Sequence, residues 1–138
     1  MIALTRRYQF SAAHVLSSPC FSEQENRRIY GRCANPGGHG HKYGVEITVT
    51  GPIDERSGQI MAPELLDQIF DERIRSRFAH RLLNRDEGFR NRVPTSENMA
   101  QLIHAGLSEP VAARSSARVL GVRVIETRRN SCTYGELG

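Results

Sequence analysis

The segment from His39 to Thr50 constrains the fold more than any other stretch of this 138-residue chain. Its residues alternate between two faces, as they do in a β-strand with one buried side. One face carries His39, His41, Tyr43, Val45, Ile47 and Val49. The other face carries Lys42, Glu46, Thr48 and Thr50. The alternation predicts a strand whose apolar face joins a core, with two imidazoles at its start on that same face.

Hydrophobic periodicity and turn residues predict the elements around this strand. Met1–Phe10 is typical of a first strand, and residues 15–38 have the composition of a long loop, a length that is unusual without a function. Gln59–Met61 is expected to form a short return strand after a turn. A helix is predicted from Pro63, with apolar residues at helical spacing: Leu66, Ile69, Phe70 and Ile74.

The second half of the chain predicts a second helix and two more strands. Thr95 is a suitable N-cap for that helix, whose apolar stripe is Met99, Leu102, Ile103 and Leu107. The remaining segments are a loop over residues 79–93, a connector over 108–116, a strand over Val119–Thr127, and a turn leading into a strand over Cys132–Tyr134. The order is ββααββ, which favours one α+β domain over residues 1–138 with a mostly antiparallel sheet.

Composition narrows the class of protein. The net charge is +4, and no basic run is interleaved with aromatic residues, so a nucleic-acid partner is not expected. No apolar run is long enough to cross a bilayer, and Met1–Phe10 lacks the architecture of a signal peptide. The three cysteines form no C-x-x-C pair, which argues against a disulfide framework. These features predict a cytoplasmic protein with at least one free thiol.

Three histidines suggest a metal site. A spacing of two residues places His39 and His41 on the same side of a strand, where neutral imidazoles are good Zn²⁺ ligands. His14 follows the first predicted strand, and pairing of the two strands would bring it to the same end of the sheet. Three histidines with an open position are typical of a catalytic zinc. The alternatives are a surface pair at a strand entrance and a hydrogen-bonded loop histidine.

Three further residues are candidates for chemistry. Cys33 lies in a glycine-rich loop six residues before His39, where a nearby cation would lower the pKa of its thiol. The alternative for Cys33 is a small buried apolar residue. Glu126 falls on the apolar face of its predicted strand, and a buried carboxylate needs a partner such as paired N–H donors of a ligand. His80 lies between the two predicted helices, and its position alone does not indicate a role.

Taken together, these residues resemble the 6-pyruvoyl tetrahydropterin synthase / 6-carboxytetrahydropterin synthase family. The resemblance covers nearly the whole chain, and the Cys-x5-His-Gly-His element with an upstream histidine is its most specific part. The matching segments are Phe10–His14, Gly31–Tyr43, Pro94–Asn98 and Val122–Ser131.

The resemblance implies a fold, an assembly and a set of roles. The fold would be the tunnelling fold (T-fold), a four-stranded antiparallel sheet with two helices packed on one face. Trimers would close a barrel and stack into a hexamer, with active sites between subunits. Zn²⁺ would be held by three ligands: His14, His39 and His41. Cys33 and His80 would be the catalytic acid/base pair. Glu126 would anchor the pterin ring, with help from Thr95, Ser96 and Glu97.

The implied reaction is a zinc-dependent lyase step on 7,8-dihydroneopterin triphosphate that releases triphosphate and yields 6-pyruvoyl tetrahydropterin. Five residues between Cys33 and His39 favour this product over that of 6-carboxytetrahydropterin synthase, the queuosine-pathway alternative. The family usually has Asp at the positions of Ala79 and Ala62. The first change removes the usual partner of His80, unless Asp86 or Glu87 replaces it, so a catalytically weak pterin-binding paralogue is a further alternative.

Overall fold

The computed structural model describes residues 1–136, which form a four-stranded antiparallel sheet with helices packed against one face. The strands lie side by side in the order β1-β2-β3-β4. Their bounds are Ala3–His14 for β1, His39–Thr50 for β2, Arg118–Ile125 for β3 and Ser131–Gly135 for β4. The second strand has the predicted bounds. The first continues beyond Phe10, so His14 is part of it and not of the loop that follows.

The helices occupy the connections between the strands. Helix α1 spans Glu23–Tyr30, α2 spans Pro63–Phe70, α3 spans Ser76–Phe78 and α4 spans Ser96–Arg114. A π-helical segment at Asp71–Arg75 joins α2 to α3, and 3₁₀ turns lie at Gly31–Ala34, Leu83–Arg85 and Glu87–Phe89. Within residues 1–136, no helix has the length and apolar character needed to span a bilayer.

The core lies between the sheet and the longer helices. Tyr43, Val45, Ile47 and Val49 of β2 are fully buried, as their alternation predicted. Helices α2 and α4 contribute further fully buried side chains: Leu66, Ile69, Phe70, Met99, Ile103 and Leu107. Burying each such side chain contributes about 1.5–3 kcal/mol. Because this core fixes how β2 packs against α4, it also fixes where the histidines at the start of β2 lie relative to the start of α4.

Two helical predictions were confirmed at their starts. Pro63 is the first residue of α2, and Ala62 at its N-cap makes no side-chain hydrogen bond there. Thr95 is the N-cap of α4, and its hydroxyl accepts a hydrogen bond from Asn98 N. In each case the local sequence supplies the geometry that a helix start requires.

Three predictions were wrong. Residues 15–38 contain α1, whose capping box between Ser22 and Glu25 is a local signal that the loop-like composition concealed. Gln59–Met61 forms no strand. The expected connector at 108–116 is the last part of α4, which continues past Pro110 because Leu107 and Val111 on either side are fully buried against the core. That burial offsets the roughly 3 kcal/mol that proline costs inside a helix. The order is therefore not simply ββααββ, since α1 separates β1 from β2.

Candidate functional site

Antiparallel pairing of β1 with β2 brings the histidines together. His14 is the register partner of His39, and Ala12 is the partner of His41. The Nε2 atoms of His14 and His41 lie 3.1 Å apart, and the ring of His39 is centred 4.5 Å from that of His41. The structure thus places all three predicted imidazoles at one end of the sheet.

His14 is fully buried and held in one orientation. Its Nδ1 lies 3.0 Å from the carbonyl oxygen of Pro94 and 3.0 Å from the hydroxyl of Tyr43. A carbonyl oxygen only accepts hydrogen bonds, so Nδ1 carries the ring proton and donates it to Pro94. The lone pair of Nε2 therefore faces Nε2 of His41, as in a metal-ligating histidine whose other nitrogen is bound to a carbonyl. Neither Pro94 nor Tyr43 was predicted in this role.

Cys33 and Glu126 complete a cluster around His41. The Cys33 sulfur lies 3.7 Å from Nε2 of His41, and a carboxylate oxygen of Glu126 lies 3.4 Å from the same nitrogen. One ligand atom from each of His14, Cys33, His41 and Glu126 can be chosen so that all lie within 4.8 Å of one another. Imidazole, thiolate and carboxylate are all zinc ligands. His39 lies beside this four-residue cluster rather than within it.

Burial sets the protonation of the cluster. It lowers the pKa of His14, with the neighbouring His41 adding to the effect, and it lowers the pKa of His41. Burial also raises the pKa of the Cys33 thiol, and the negative charge of Glu126 raises it further. Without a cation the imidazoles are therefore neutral at pH 7 and the thiol keeps its proton. This is a site with free lone pairs and no positive charge of its own.

The glycine-rich loop fixes the position of Cys33. Gly31 ends α1 with φ of 60°, a left-handed conformation that a side chain would strain, and the 3₁₀ turn Gly31–Ala34 follows directly. The carbonyl of Cys33 accepts a hydrogen bond from Leu16 N, which ties the turn to the segment after β1. The thiol therefore reaches the histidines from a connection that crosses the end of the sheet.

The start of α4 meets Glu126 from the other side. Ser96, the first residue of the helix, donates a hydrogen bond of 2.6 Å to Oε2 of Glu126. Thr95 uses its hydroxyl as the helix N-cap, and Glu97 is exposed in the first turn. Of the three residues predicted at this segment, Ser96 is thus the one that contacts the predicted site.

His80 is not one of the residues of the four-residue cluster. The side chain of His80 is exposed, and its backbone has a φ of 60°. The backbone N–H of His80 donates to the carbonyl of Ser11 on β1. It lines a shallow cavity of about 470 Å³ whose wall also includes His41. Within residues 1–136, no hydrogen bond joins the His80 imidazole to Cys33.

Asp86, one of the two alternatives named for the aspartate missing at Ala79, is bound to another residue. Both carboxylate oxygens of Asp86 accept hydrogen bonds of 2.7 Å from the guanidinium of Arg77, and one also accepts from Gly88 N. These hydrogen bonds, first of all those from Arg77, and the Arg77 charge hold the pKa of Asp86 below its usual range. A carboxylate bound in this two-pronged way is already satisfied, so it is not available to His80.

Asn84, which sequence reasoning missed, ties the His80 loop to β1. Its side-chain oxygen accepts from Val15 N at 2.8 Å, and its side-chain nitrogen donates to Val15 O at 2.8 Å. Two residues before Val15, the backbone N–H of Ala13 donates to the carbonyl of Arg81 at 3.0 Å. These bonds flank His14 on both sides. Only the three-dimensional proximity of the two segments reveals the role, because asparagine in a loop has many commoner uses.

Comparison with known proteins decides the family. A protein-family model described as "6-pyruvoyl tetrahydropterin synthase" matches residues 3–136. The chain belongs to this family. It is 39% identical over 132 residues to the 6-pyruvoyl tetrahydrobiopterin synthase of Drosophila melanogaster, covering 95% of this chain and 77% of that protein. Against the human protein of the same name the identity is 37% over 134 residues, with 95% and 89% covered.

Solved structures of 6-pyruvoyl tetrahydropterin synthases have the same fold. The Caenorhabditis elegans enzyme superimposes with a TM-score of 0.82 at 32% identity, covering 97% of this chain and 94% of that one. The Plasmodium falciparum enzyme, at 14% identity, matches with a TM-score of 0.64 over 96% of both chains. The resemblance found in the sequence is thus confirmed, and the four-stranded sheet with its helices fits the T-fold. The roles assigned to individual site residues remain predictions.

Proposed function

We propose that this chain is a zinc-dependent lyase that converts 7,8-dihydroneopterin triphosphate to 6-pyruvoyl tetrahydropterin and releases triphosphate. The observation that carries the proposal is the cluster of His14, Cys33, His41 and Glu126, in which a thiol and a carboxylate meet one buried and one half-buried imidazole. Membership of the 6-pyruvoyl tetrahydropterin synthase family supplies the substrate class. The proposed active assembly is a homohexamer made of two trimers.

The donor set fits a zinc ion. His14 presents the lone pair of Nε2 because its Nδ1 proton is bound to the Pro94 carbonyl. We assign His14, His39 and His41 as ligands, with an open position for the substrate side chain. Bound there, Zn²⁺ would act as a Lewis acid on the side-chain hydroxyl or carbonyl oxygens and acidify the adjacent C–H.

Cys33 is the proposed acid/base at the substrate side chain. Its thiol lies 3.7 Å from Nε2 of His41, close enough to reach a carbon whose oxygen is held at the histidines. Burial and Glu126 raise its pKa in the metal-free site, and a nearby cation would oppose both effects and favour the thiolate. His80 is the proposed second proton carrier. Since no hydrogen bond joins His80 to Cys33 within residues 1–136, the pairing is assigned to neighbouring subunits of the hexamer.

Glu126 is the proposed anchor of the pterin ring. Its side chain is 13% exposed, and a carboxylate that is mostly buried is well suited to paired N–H donors. The Ser96 hydroxyl occupies one acceptor position of Oε2. The remaining acceptor positions of the two oxygens can take the two N–H groups on the pyrimidine edge of a pterin.

One assay tests the proposal. The zinc-loaded protein is incubated with 7,8-dihydroneopterin triphosphate, and the products are identified by mass spectrometry. Triphosphate with a pyruvoyl pterin is the expected result. Triphosphate with acetaldehyde and a carboxypterin would replace the proposal with the 6-carboxytetrahydropterin synthase reaction. An intact substrate that stays bound would identify a silent pterin-binding paralogue. The Cys33→Ala variant is the control for turnover that does not depend on the site.

A further inference from the structure

The first turn of α4 supports two separate parts of the candidate site. Two residues before the helix proper, the carbonyl of Pro94 accepts from Nδ1 of His14 at 3.0 Å. At the first helical residue, Ser96 donates to Oε2 of Glu126 at 2.6 Å. These contacts join residues 80 and 30 positions apart in the chain. The segment Pro94–Ser96 thus fixes both the proposed metal-binding imidazole of His14 and the proposed ring-binding carboxylate of Glu126.

We propose that Ser96 is a positioning residue that holds Glu126 in the orientation needed to bind a ligand with paired N–H donors, and that Ser96 does not itself touch that ligand. The inference rests on the proposed function for the identity of the ligand, a pterin ring. The role of Ser96 stands on its own geometry.

The hydroxyl of Ser96 is free for this task because its neighbour caps the helix. Serine at a helix start commonly turns its oxygen back to a backbone N–H. In this helix the hydroxyl of Thr95 accepts from Asn98 N, so Ser96 is not needed as a cap. Ser96 is only 6% exposed, and its single proton is used in the bond to Glu126. Because burial leaves Ser96 little surface for a ligand and its proton is committed to Glu126, we assign the hydroxyl as a support for the carboxylate.

The bond restricts what the Glu126 carboxylate can do. Within residues 1–136 the carboxylate has two polar contacts, Ser96 on Oε2 and Nε2 of His41 at 3.4 Å from Oε1. If the Ser96 hydroxyl were missing, the contact that remains would draw the carboxylate toward the histidines and any cation they hold. Ser96 therefore keeps Glu126 available to the ring. A charge-assisted hydrogen bond of this length is among the stronger ones in proteins.

The test measures binding of 7,8-dihydroneopterin to the zinc-loaded protein by the fluorescence of the pterin. We expect Ser96→Ala to weaken binding about tenfold or more, as loss of a hydrogen bond to a charged group would. Ser96→Thr keeps a hydroxyl and is expected to bind within about threefold of wild type. Ser108→Ala is the matched control, because that hydroxyl lies on the same helix and its hydrogen-bond partners, the carbonyl oxygen and Nδ1 of His104, do not belong to the candidate site.

A double variant separates positioning from a general structural role. If Ser96 acts through Glu126, Ser96→Ala combined with Glu126→Gln binds no more weakly than Glu126→Gln alone. Binding by Ser96→Ala within about twofold of wild type would overturn the inference, and so would additive losses in the double variant. Failure of the wild-type protein to bind the pterin at all would instead overturn the proposed function, and the inference with it. Thermal unfolding of each variant confirms that the fold is intact.

Discussion

The imidazole nitrogens Nε2 of His14 and His41 lie 3.1 Å apart, although the two residues are 27 positions apart in the chain. They meet because β1 and β2 pair along their whole length, with His14 opposite His39 at the last position of the register. The ring proton of His14 is held on the far side by Pro94. Two imidazole nitrogens at this separation share a proton or, as proposed here, a cation between them.

Removing either of these imidazoles should remove the metal. We expect His14→Ala and His41→Ala to lower bound zinc from about one ion to less than about a tenth per subunit, because two ligands rarely retain the ion. Metal content measured by mass spectrometry after gel filtration checks this. His104→Ala is the control, since that ring packs edge-on against Tyr134 away from the cluster. Full zinc occupancy in either site variant would contradict the assignment.

His39 offers a sharper test of which residues bind the ion. If the three histidines are the ligands, His39→Ala should lose zinc as His41→Ala does. The four-residue cluster of His14, Cys33, His41 and Glu126 offers a different set. Zinc kept by His39→Ala but lost by Cys33→Ser would show that the cluster, and not the histidine triad, holds the metal.

Neutralising Glu126 should make Cys33 more reactive in the metal-free protein. The pKa of the thiol is raised by burial and then by the Glu126 charge, so Glu126→Gln lowers that pKa and increases the thiolate fraction. We expect alkylation of Cys33 at pH 8 to be about two- to fourfold faster, since the burial effect remains. Mass spectrometry of peptides follows the rate after removal of metal.

The control for this experiment is Glu46→Gln. That substitution also neutralises a carboxylate with little exposure, but Glu46 is paired with Arg7 and Arg123 on β1 and β3. Its removal should leave the alkylation rate of Cys33 unchanged. A rate in Glu126→Gln that equals the wild-type rate would show that the carboxylate does not act on the thiol.

An aspartate at position 79 should help His80. The family resemblance implies an aspartate there, and Asp86 does not replace it because both of its oxygens are bound to Arg77. We expect Ala79→Asp to raise kcat about tenfold with little change in KM, because an oriented imidazole with a carboxylate partner is a better proton carrier. Steady-state kinetics with Ala79→Asn as the uncharged control measures this. An unchanged kcat would indicate that His80 works without such a partner.

Breaking the hydrogen bonds between Asn84 and Val15 should weaken metal binding, although neither residue is a proposed metal ligand. Asn84→Asp keeps the acceptor for Val15 N but loses the donor to Val15 O and sets a negative charge against that carbonyl. We expect zinc affinity to fall about threefold to tenfold, because Val15 follows His14 directly. Competition with a coloured chelator measures the affinity. Asn91→Asp makes the same charge change in the same loop and should have no effect.

Local sequence was enough for the elements that depend on near neighbours. Alternation over His39–Thr50 defined β2 to the residue, and Pro63 and Thr95 marked the starts of α2 and α4. The same local rules would have found α1, because Ser22 and Glu25 form a capping box. A proline inside α4 was misleading, since the cost of Pro110 is offset by burial that only the packed core supplies.

The sequence by itself determined the apolar face of β2, the chemistry of its two imidazoles, and the family to which the chain belongs. Tertiary structure decided how these residues work together. The fold places the ring proton of His14 on Nδ1, where Pro94 accepts it, and brings Ser96 into a hydrogen bond with Glu126. It also pairs Asp86 with Arg77 rather than with His80. The physical reason is distance along the chain. Hydrogen bonds between residues that are tens of positions apart depend on how strands pair and helices pack, and no local pattern records them.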